Sequence, residues 1–191
     1  WVANPGMEGG RAIAELLLGR IEPAGRLPIS FAVHVGQQPT YYNQIRGQHG
    51  DRYADLTQRP AYAFGEGLTY TTVEYGKPEL EASSLGVDDT VRARITLRNT
   101  GTRPAHEIVQ AYVRDEVTTA SWADKELKAY RHVDLAPGEE QTVQIEVAVR
   151  DCTIVDAHGD RVVEPGAFEL LVGSSSRDED LHAVGFTVAT T

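Results

Sequence analysis

From Val91 onward, apolar and polar residues take turns, and no other feature constrains the fold as strongly. Val91, Ala93, Ile95 and Leu97 alternate with Arg92, Arg94, Thr96 and Arg98, a period of two that suits an extended strand with one buried face. That strand is predicted to end at Asn99-Thr100-Gly101. Val109, Ala111 and Val113 predict the next, with Gln110, Tyr112 and Arg114 facing outward. Residues 127–135 predict a third, closed by the turn Ala136-Pro137-Gly138-Glu139, and Val143, Ile145, Val147 and Val149 a fourth. His158-Gly159-Asp160 and Glu164-Pro165-Gly166 punctuate the remainder, before Phe168, Leu170 and Val172 and a last strand with Phe186 and Val188. About seven short strands with regular turns predict an immunoglobulin-like β-sandwich over residues 76–191.

Residues 1–75 follow other rules. Pro5-Gly6 marks a turn, Gly9-Gly10 opens a segment with Ile13, Leu16 and Leu17 at helical spacing, and Gly19 can close it, so a helix is predicted over about residues 8–18. The paired glycines could leave backbone N–H groups open to an anion or hydroxyl, or could simply allow close packing, which is preferred. A proline turn at 22–28 leads to Ile29-Ser30-Phe31, predicted as a short strand. Phe64 to Tyr75 carries Gly65 and Gly67, then alternates Leu68, Tyr70 and Thr72 against Thr69, Thr71 and Val73, so it is predicted to be the extended joint between two unlike parts. One helix and one strand cannot enclose a core. The first part is therefore expected to complete a sheet whose other strands precede Trp1. The opening Trp1-Val2-Ala3, with neither initiator methionine nor leader, supports the same expectation of a fragment.

Between residues 33 and 63 no apolar period appears, yet the stretch is rich in Tyr41, Tyr42, Tyr53 and Tyr62, with Asn43, Arg46, His49, Asp51, Arg52 and Asp55. So long an irregular stretch inside a domain marks a functional loop more often than a linker. Aromatic faces among amides and charges suit a sugar ring, and equally an interdomain interface, which is the preferred assignment.

Charge and residue types exclude several classes. A net charge of -10 is wrong for nucleic acid, and no apolar run approaches the roughly 20 residues of a membrane-spanning helix. The six histidines are scattered and Cys152 is the single cysteine, so neither a disulfide nor a metal site is expected. Cys152 is expected to be a small buried hydrophobe. Ser174 to Asp180 lacks ordered calcium-ligand spacing and is expected to be a polar hairpin. Hydrolysis by a carboxyl pair needs two such groups at a defined separation. Glu8, Asp51, Asp55 and Glu66 are the only carboxylates in plausible loop positions, and their spacing pairs no two of them, so they are expected to be solvated.

Several segments nevertheless resemble one family in fixed order. Gly9-Gly10-Arg11-Ala12-Ile13-Ala14, Leu17-Leu18-Gly19, Pro23-Ala24-Gly25-Arg26-Leu27-Pro28-Ile29-Ser30-Phe31, Tyr41-Tyr42-Asn43, Arg52-Tyr53-Ala54-Asp55-Leu56 and Phe64-Gly65-Glu66-Gly67-Leu68-Thr69-Tyr70-Thr71 resemble the end of the second domain of glycoside hydrolase family 3, in its bacterial β-glucosidase and β-xylosidase branch. Lys125-Glu126-Leu127-Lys128-Ala129-Tyr130, Leu135-Ala136-Pro137-Gly138-Glu139, Val163-Glu164-Pro165-Gly166-Ala167-Phe168 and Val172-Gly173-Ser174-Ser175 resemble the family's fibronectin type III-like domain. Departures are few: Glu66 and Val73 stand where aromatics are common, and Ala123-Asp124 replaces a proline-containing approach to Lys125.

The resemblance implies a mainly β chain: residues 1–75 as the C-terminal remnant of an α/β sandwich domain, with a long loop at 33–63, then a fibronectin III-like sandwich at 76–191. It implies the C-terminal portion of a retaining, exo-acting β-glycosidase, a β-glucosidase foremost, that removes terminal non-reducing β-D-glycosyl residues. The family's nucleophilic aspartate lies on an N-terminal barrel and its acid/base glutamate earlier in the second domain. Neither maps onto this chain, so no catalytic residue is assigned and the chain alone is expected to be inactive. The implied partners are that barrel, the rest of the α/β domain and a β-glucoside or β-xyloside; no cofactor is implied. Candidate substrate contacts are Tyr42, Arg52, Tyr53 and Asp55. The alternative is a non-catalytic carbohydrate- or protein-binding module. A soluble protein is expected, whether cytoplasmic or secreted.

Overall fold

The computed structural model describes residues 1–45 and 55–189. Its framework is two mainly antiparallel sheets packed face to face. In the first, β4 (Thr90–Asn99) pairs along one side with β7 (Glu140–Ala148), in register from Thr90 opposite Ala148 to Arg98 opposite Glu140. The other side of β4 takes two short strands, β1 (Val73–Tyr75) and β2 (Glu79–Leu80). The second sheet runs β3 (Ser84–Leu85), β11 (Leu181–Val188), β10 (Gly166–Gly173), β5 (Ala105–Asp115), β6 (Glu126–Leu135). A small ribbon of β8 (Ile154–Val155) and β9 (Arg161–Val162) completes the strands.

The inward faces are those the alternation predicts. Val91, Ile95 and Leu97 from one sheet meet Val109, Leu170 and Val172 from the other, with Phe168 stacked on Phe186 at 5.3 Å. Burying each such side chain contributes about 1.5–3 kcal/mol, so this layer is the main source of stability. Asn99 closes one end from a fully buried position. Its amide donates to the carbonyls of Arg103 (2.7 Å) and Leu135 (3.1 Å), while its Oδ1 accepts from Thr71 Oγ1 (2.8 Å) and Gly101 N (3.0 Å). Cys152 is buried, and burial pushes its thiol pKa up to about 11.

Three expectations need correction. First, Gln110 and Tyr112 do not face outward into water: they are 3% and 0% exposed. β5 is interior to its sheet, and the first part of the chain covers its second face. Second, 64–72 is not a strand, and pairing begins only at Val73. The intervening polar groups bond elsewhere: Gly65 N donates to Leu27 O (2.8 Å), Leu27 N to Glu66 O (3.0 Å), and Thr69 Oγ1 to Thr71 O (2.7 Å). Threonine hydroxyls that bond nearby backbone compete with a ladder in this way. Third, Ile29-Ser30-Phe31 is reduced to a single bridge between Phe31 and Tyr62.

The single α-helix among the described residues, α1, spans Gly9–Leu17 and ends with Gly19 at φ +67. Gly9 is tightly packed, since an added Cβ would meet Pro5 Cβ at 2.3 Å. It is also the helix's only buried residue; Leu17 and the adjoining Leu18 are mostly exposed.

Candidate functional site

The richest concentration of polar geometry lies where the first part meets the sandwich. Gly65 takes φ +77, a conformation open mainly to glycine, and presses its Cα against β5. Gln110 Nε2 donates to Gly65 O (2.9 Å) and Ser174 O (2.6 Å), while its Oε1 accepts from Tyr112 Oη (2.6 Å). A Cβ at Gly65 would lie 2.0 Å from that Oε1. Beside it, Glu66 accepts from Ala63 N (2.7 Å) and pairs with Arg177 at 2.7 Å. Glu66 is thus an anchor across the joint, not the solvated loop charge expected of it. Ser175 Oγ donates to Asp180 (2.6 Å) and Arg177 Nη2 to Ala61 O (3.1 Å), so the 174–180 hairpin is itself part of this contact.

Deeper in the joint, Arg26 Nη2 donates to Glu107 Oε1, with the two side chains only 8% and 5% exposed. Tyr75 Oη is buried there beside Glu107, and burial together with the Glu107 charge raises its pKa far above normal. A third contact gathers around Arg103, which donates to Gly19 O (2.6 Å), pairs with Glu22 (3.3 Å) and lies over the Tyr70 ring. Tyr70 in turn donates from Oη to Leu16 O (2.7 Å). The end of α1 is thereby tied to the sandwich.

The 33–63 loop is tethered at both its ends by one side chain. Gln37, 6% exposed, accepts from Val33 N (2.6 Å) and donates to Thr57 O (2.6 Å). Farther along, Tyr42 stacks on Phe64 (4.2 Å) and meets Tyr112 edge-on (5.7 Å), and its hydroxyl accepts from Leu127 N (3.1 Å). Asp124 N donates to Gln44 O (2.8 Å), and Ile45 forms an antiparallel bridge with Ala123.

Of the candidate substrate contacts, Tyr42 is packed into this seam and Asp55 is exposed. Arg52 and Tyr53 lie outside the described residues, as does Asp51. Tyr42 and Asp55 share the loop, and no direct contact brings them together. Among the described residues no three His, Cys, Asp or Glu side chains cluster as metal ligands, and no helix is long and apolar enough to cross a membrane. Exposed large apolar side chains fall mostly in the first part, including Trp1, Leu17, Leu18, Ile29 and Val35. Sequence patterning missed Gln37, Gln110, Arg26 and Glu107. Most of their partners lie well along the chain, 81 residues away for Arg26 and Glu107, and a period of two carries no sign of such pairs.

Comparison with known proteins places the two parts separately. Residues 1–70 match the glycosyl hydrolase family 3 C-terminal domain, and residues 107–176 match the fibronectin type III-like domain. A β-xylosidase of Formosa agariphila is 37% identical over 190 residues, covering 96% of this chain and 26% of the relative. A periplasmic β-glucosidase of Salmonella typhimurium is 34% identical, covering 92% and 24% respectively. Among solved structures, a β-glucosidase involved in saponin metabolism from intestinal bacteria is 60% identical, with a TM-score of 0.95, covering 99% of this chain and 26% of that one. A β-glucosidase from Listeria innocua in complex with glucose has a TM-score of 0.89 at 33% identity, covering 97% and 27%. The chain thus spans about a quarter of the length of these relatives and corresponds to a C-terminal segment of them.

Proposed function

The chain belongs to glycoside hydrolase family 3, and we propose that it serves as the C-terminal portion of a retaining β-glycosidase, a β-glucosidase foremost, acting on terminal non-reducing β-D-glycosyl residues. Its role is support: residues 1–75 complete the α/β domain and 76–191 buttress it, while the catalytic carboxylates come from elsewhere in the enzyme. The carrying observation is the asymmetry of the first part. One side is fastened to the sandwich through Gly65–Gln110, Glu66–Arg177 and Arg26–Glu107, while other surfaces leave Leu17, Leu18 and Val35 in solvent. Exposed apolar side chains gain free energy on burial against further protein. The occupants we assign are the rest of the α/β domain and, beyond it, the family's barrel.

Within the loop, Arg52, Tyr53 and Asp55 are the proposed sugar contacts. Tyr42 belongs with them as part of the loop wall, its ring and hydroxyl already engaged by Phe64, Tyr112 and Leu127. Activity on aryl β-glucoside and aryl β-xyloside, compared between this chain and the full-length enzyme, tests the proposal. Cleavage by the full-length enzyme alone is expected. Equal activity in this chain would overturn the supporting role, and inactivity of both would favour the binding module, whose sugar affinity would then reside in the chain itself.

A further inference from the structure

β6 is the last strand of its sheet, so its outer side is an edge. Between Ala111 and Tyr112 the β5–β6 register shifts: Ala111 faces Ala129 and Tyr112 faces Leu127, leaving Lys128 without an opposite residue. Such a bulge re-aims the strand and loosens its pairing locally. At this spot the loop attaches. Leu127 N donates to the Tyr42 hydroxyl, Asp124 N donates to Gln44 O, and Ala123 bridges Ile45. Three successive contacts along one segment amount to short strand addition, a mode in which main-chain bonds fix position and a side chain in a pocket fixes register.

The segment receiving the loop is itself held firmly. Lys125, 7% exposed, pairs with Asp178 at 2.5 Å, and Arg114 bridges Asp124 (2.9 Å) and Glu169 (3.0 Å). Asp178 and Glu169 belong to the β10–β11 hairpin, so the clamp is braced across three neighbouring strands. Tyr42 is the pocket side chain, lying between Phe64 from the joint and Tyr112 from β5.

We infer that the entrance to β6 is a clamp by which the sandwich positions residues 33–45 of the loop, and that Tyr42 is a positioning residue for substrate affinity in place of a direct sugar contact. This rests on the proposed glycosidase function. A loop held in its binding geometry costs substrate nothing to order, whereas a released loop lowers apparent affinity by the fraction of time it is correctly placed.

The test uses the full-length enzyme with Tyr42→Ala, Tyr42→Phe, and Tyr42→Ala combined with Ile45→Cys and Ala123→Cys. Directly paired antiparallel residues are close enough for a disulfide, formed here with oxidised glutathione and released with dithiothreitol. Tyr42→Ala is expected to raise KM for the aryl glycoside about tenfold while kcat stays within about twofold, with faster amide exchange over residues 33–45. Tyr42→Phe, which keeps the stack, is expected to shift KM by about threefold or less. Oxidising the cysteine pair should restore both protection and KM, and reduction should abolish the rescue. Unchanged KM in Tyr42→Ala would overturn the inference, as would restored protection with KM still raised, since the ring would then contact sugar directly. If the unaltered enzyme cleaves neither glycoside, the glycosidase proposal fails. Amide exchange then decides the clamp by itself: protection lost in Tyr42→Ala and regained on oxidation supports it, and unchanged exchange refutes it.

Discussion

Glu107→Leu should be among the most damaging single changes outside the hydrophobic layer. Glu107 and Arg26 are 5% and 8% exposed, so deleting either leaves a charge in a place water barely reaches. Breaking a buried pair from one side costs about 3–5 kcal/mol. Arg26 keeps long bonds to Ala24 O (3.4 Å) and Gly25 O (3.3 Å), which places Glu107→Leu near the lower end. Arg26→Met leaves a buried carboxylate without its cation, although the Ile108 amide (2.9 Å) still donates to it, so about 4 kcal/mol is expected. The double variant removes both charges and the orphaned Arg26 Nε, at the expense of the Ile108 amide bond, which is worth about 1 kcal/mol. It should fall within about 2 kcal/mol of the parent. Urea unfolding followed by Trp122 fluorescence in a Trp1→Phe background completes the cycle. A coupling of at least about 3 kcal/mol is expected. Single losses below about 1 kcal/mol, or a double variant as unstable as the sum of the singles, would refute the claim that this joint is desolvated.

Two further outcomes follow from the same contacts. Gly65→Ala combines a positive φ, costing about 1 kcal/mol, with displacement of Gln110 from three hydrogen bonds; a total loss of about 2–4 kcal/mol is expected in the same urea assay. The Asp178 carboxyl is pushed up by partial burial, but Lys125, Arg114 and Arg59 outweigh this and hold its pKa below the ordinary 3.8. A depressed folded-state pKa means its stabilisation is complete above the unfolded value and disappears as pH falls through the folded one. Asp178→Asn should therefore flatten the fall in stability below about pH 4, as read by unfolding midpoints across pH. The carboxylate remains largely open to solvent, so salt should shrink the difference.

Much of the architecture follows from local chemistry that a linear sequence displays. The alternation at 91–97 places Val91, Ala93, Ile95 and Leu97 in the core, because a strand's side chains point to opposite faces whatever its neighbours are. Gly19 ends α1 and Gly138 turns the chain before β7, since both take positive φ that other residues resist. The short motifs were enough to identify the family. They were not enough to say that Gln110 and Tyr112 are buried, that Thr69 and Thr71 satisfy polar groups outside a ladder, or that Glu66 answers Arg177.

Those outcomes depend on what lies across a surface. A strand interior to its sheet looks half-exposed in sequence until another segment covers its second face, and here Gly65, Ser174 and Tyr42 do so from up to 70 residues away. A tyrosine suited to stacking on a sugar was equally suited to stacking on Phe64. The sequence by itself determined which residues could form strands and turns, because period and φ preference are local properties. Only the tertiary structure decided which polar groups became partners, because desolvation and hydrogen-bond geometry exist only between surfaces brought into contact.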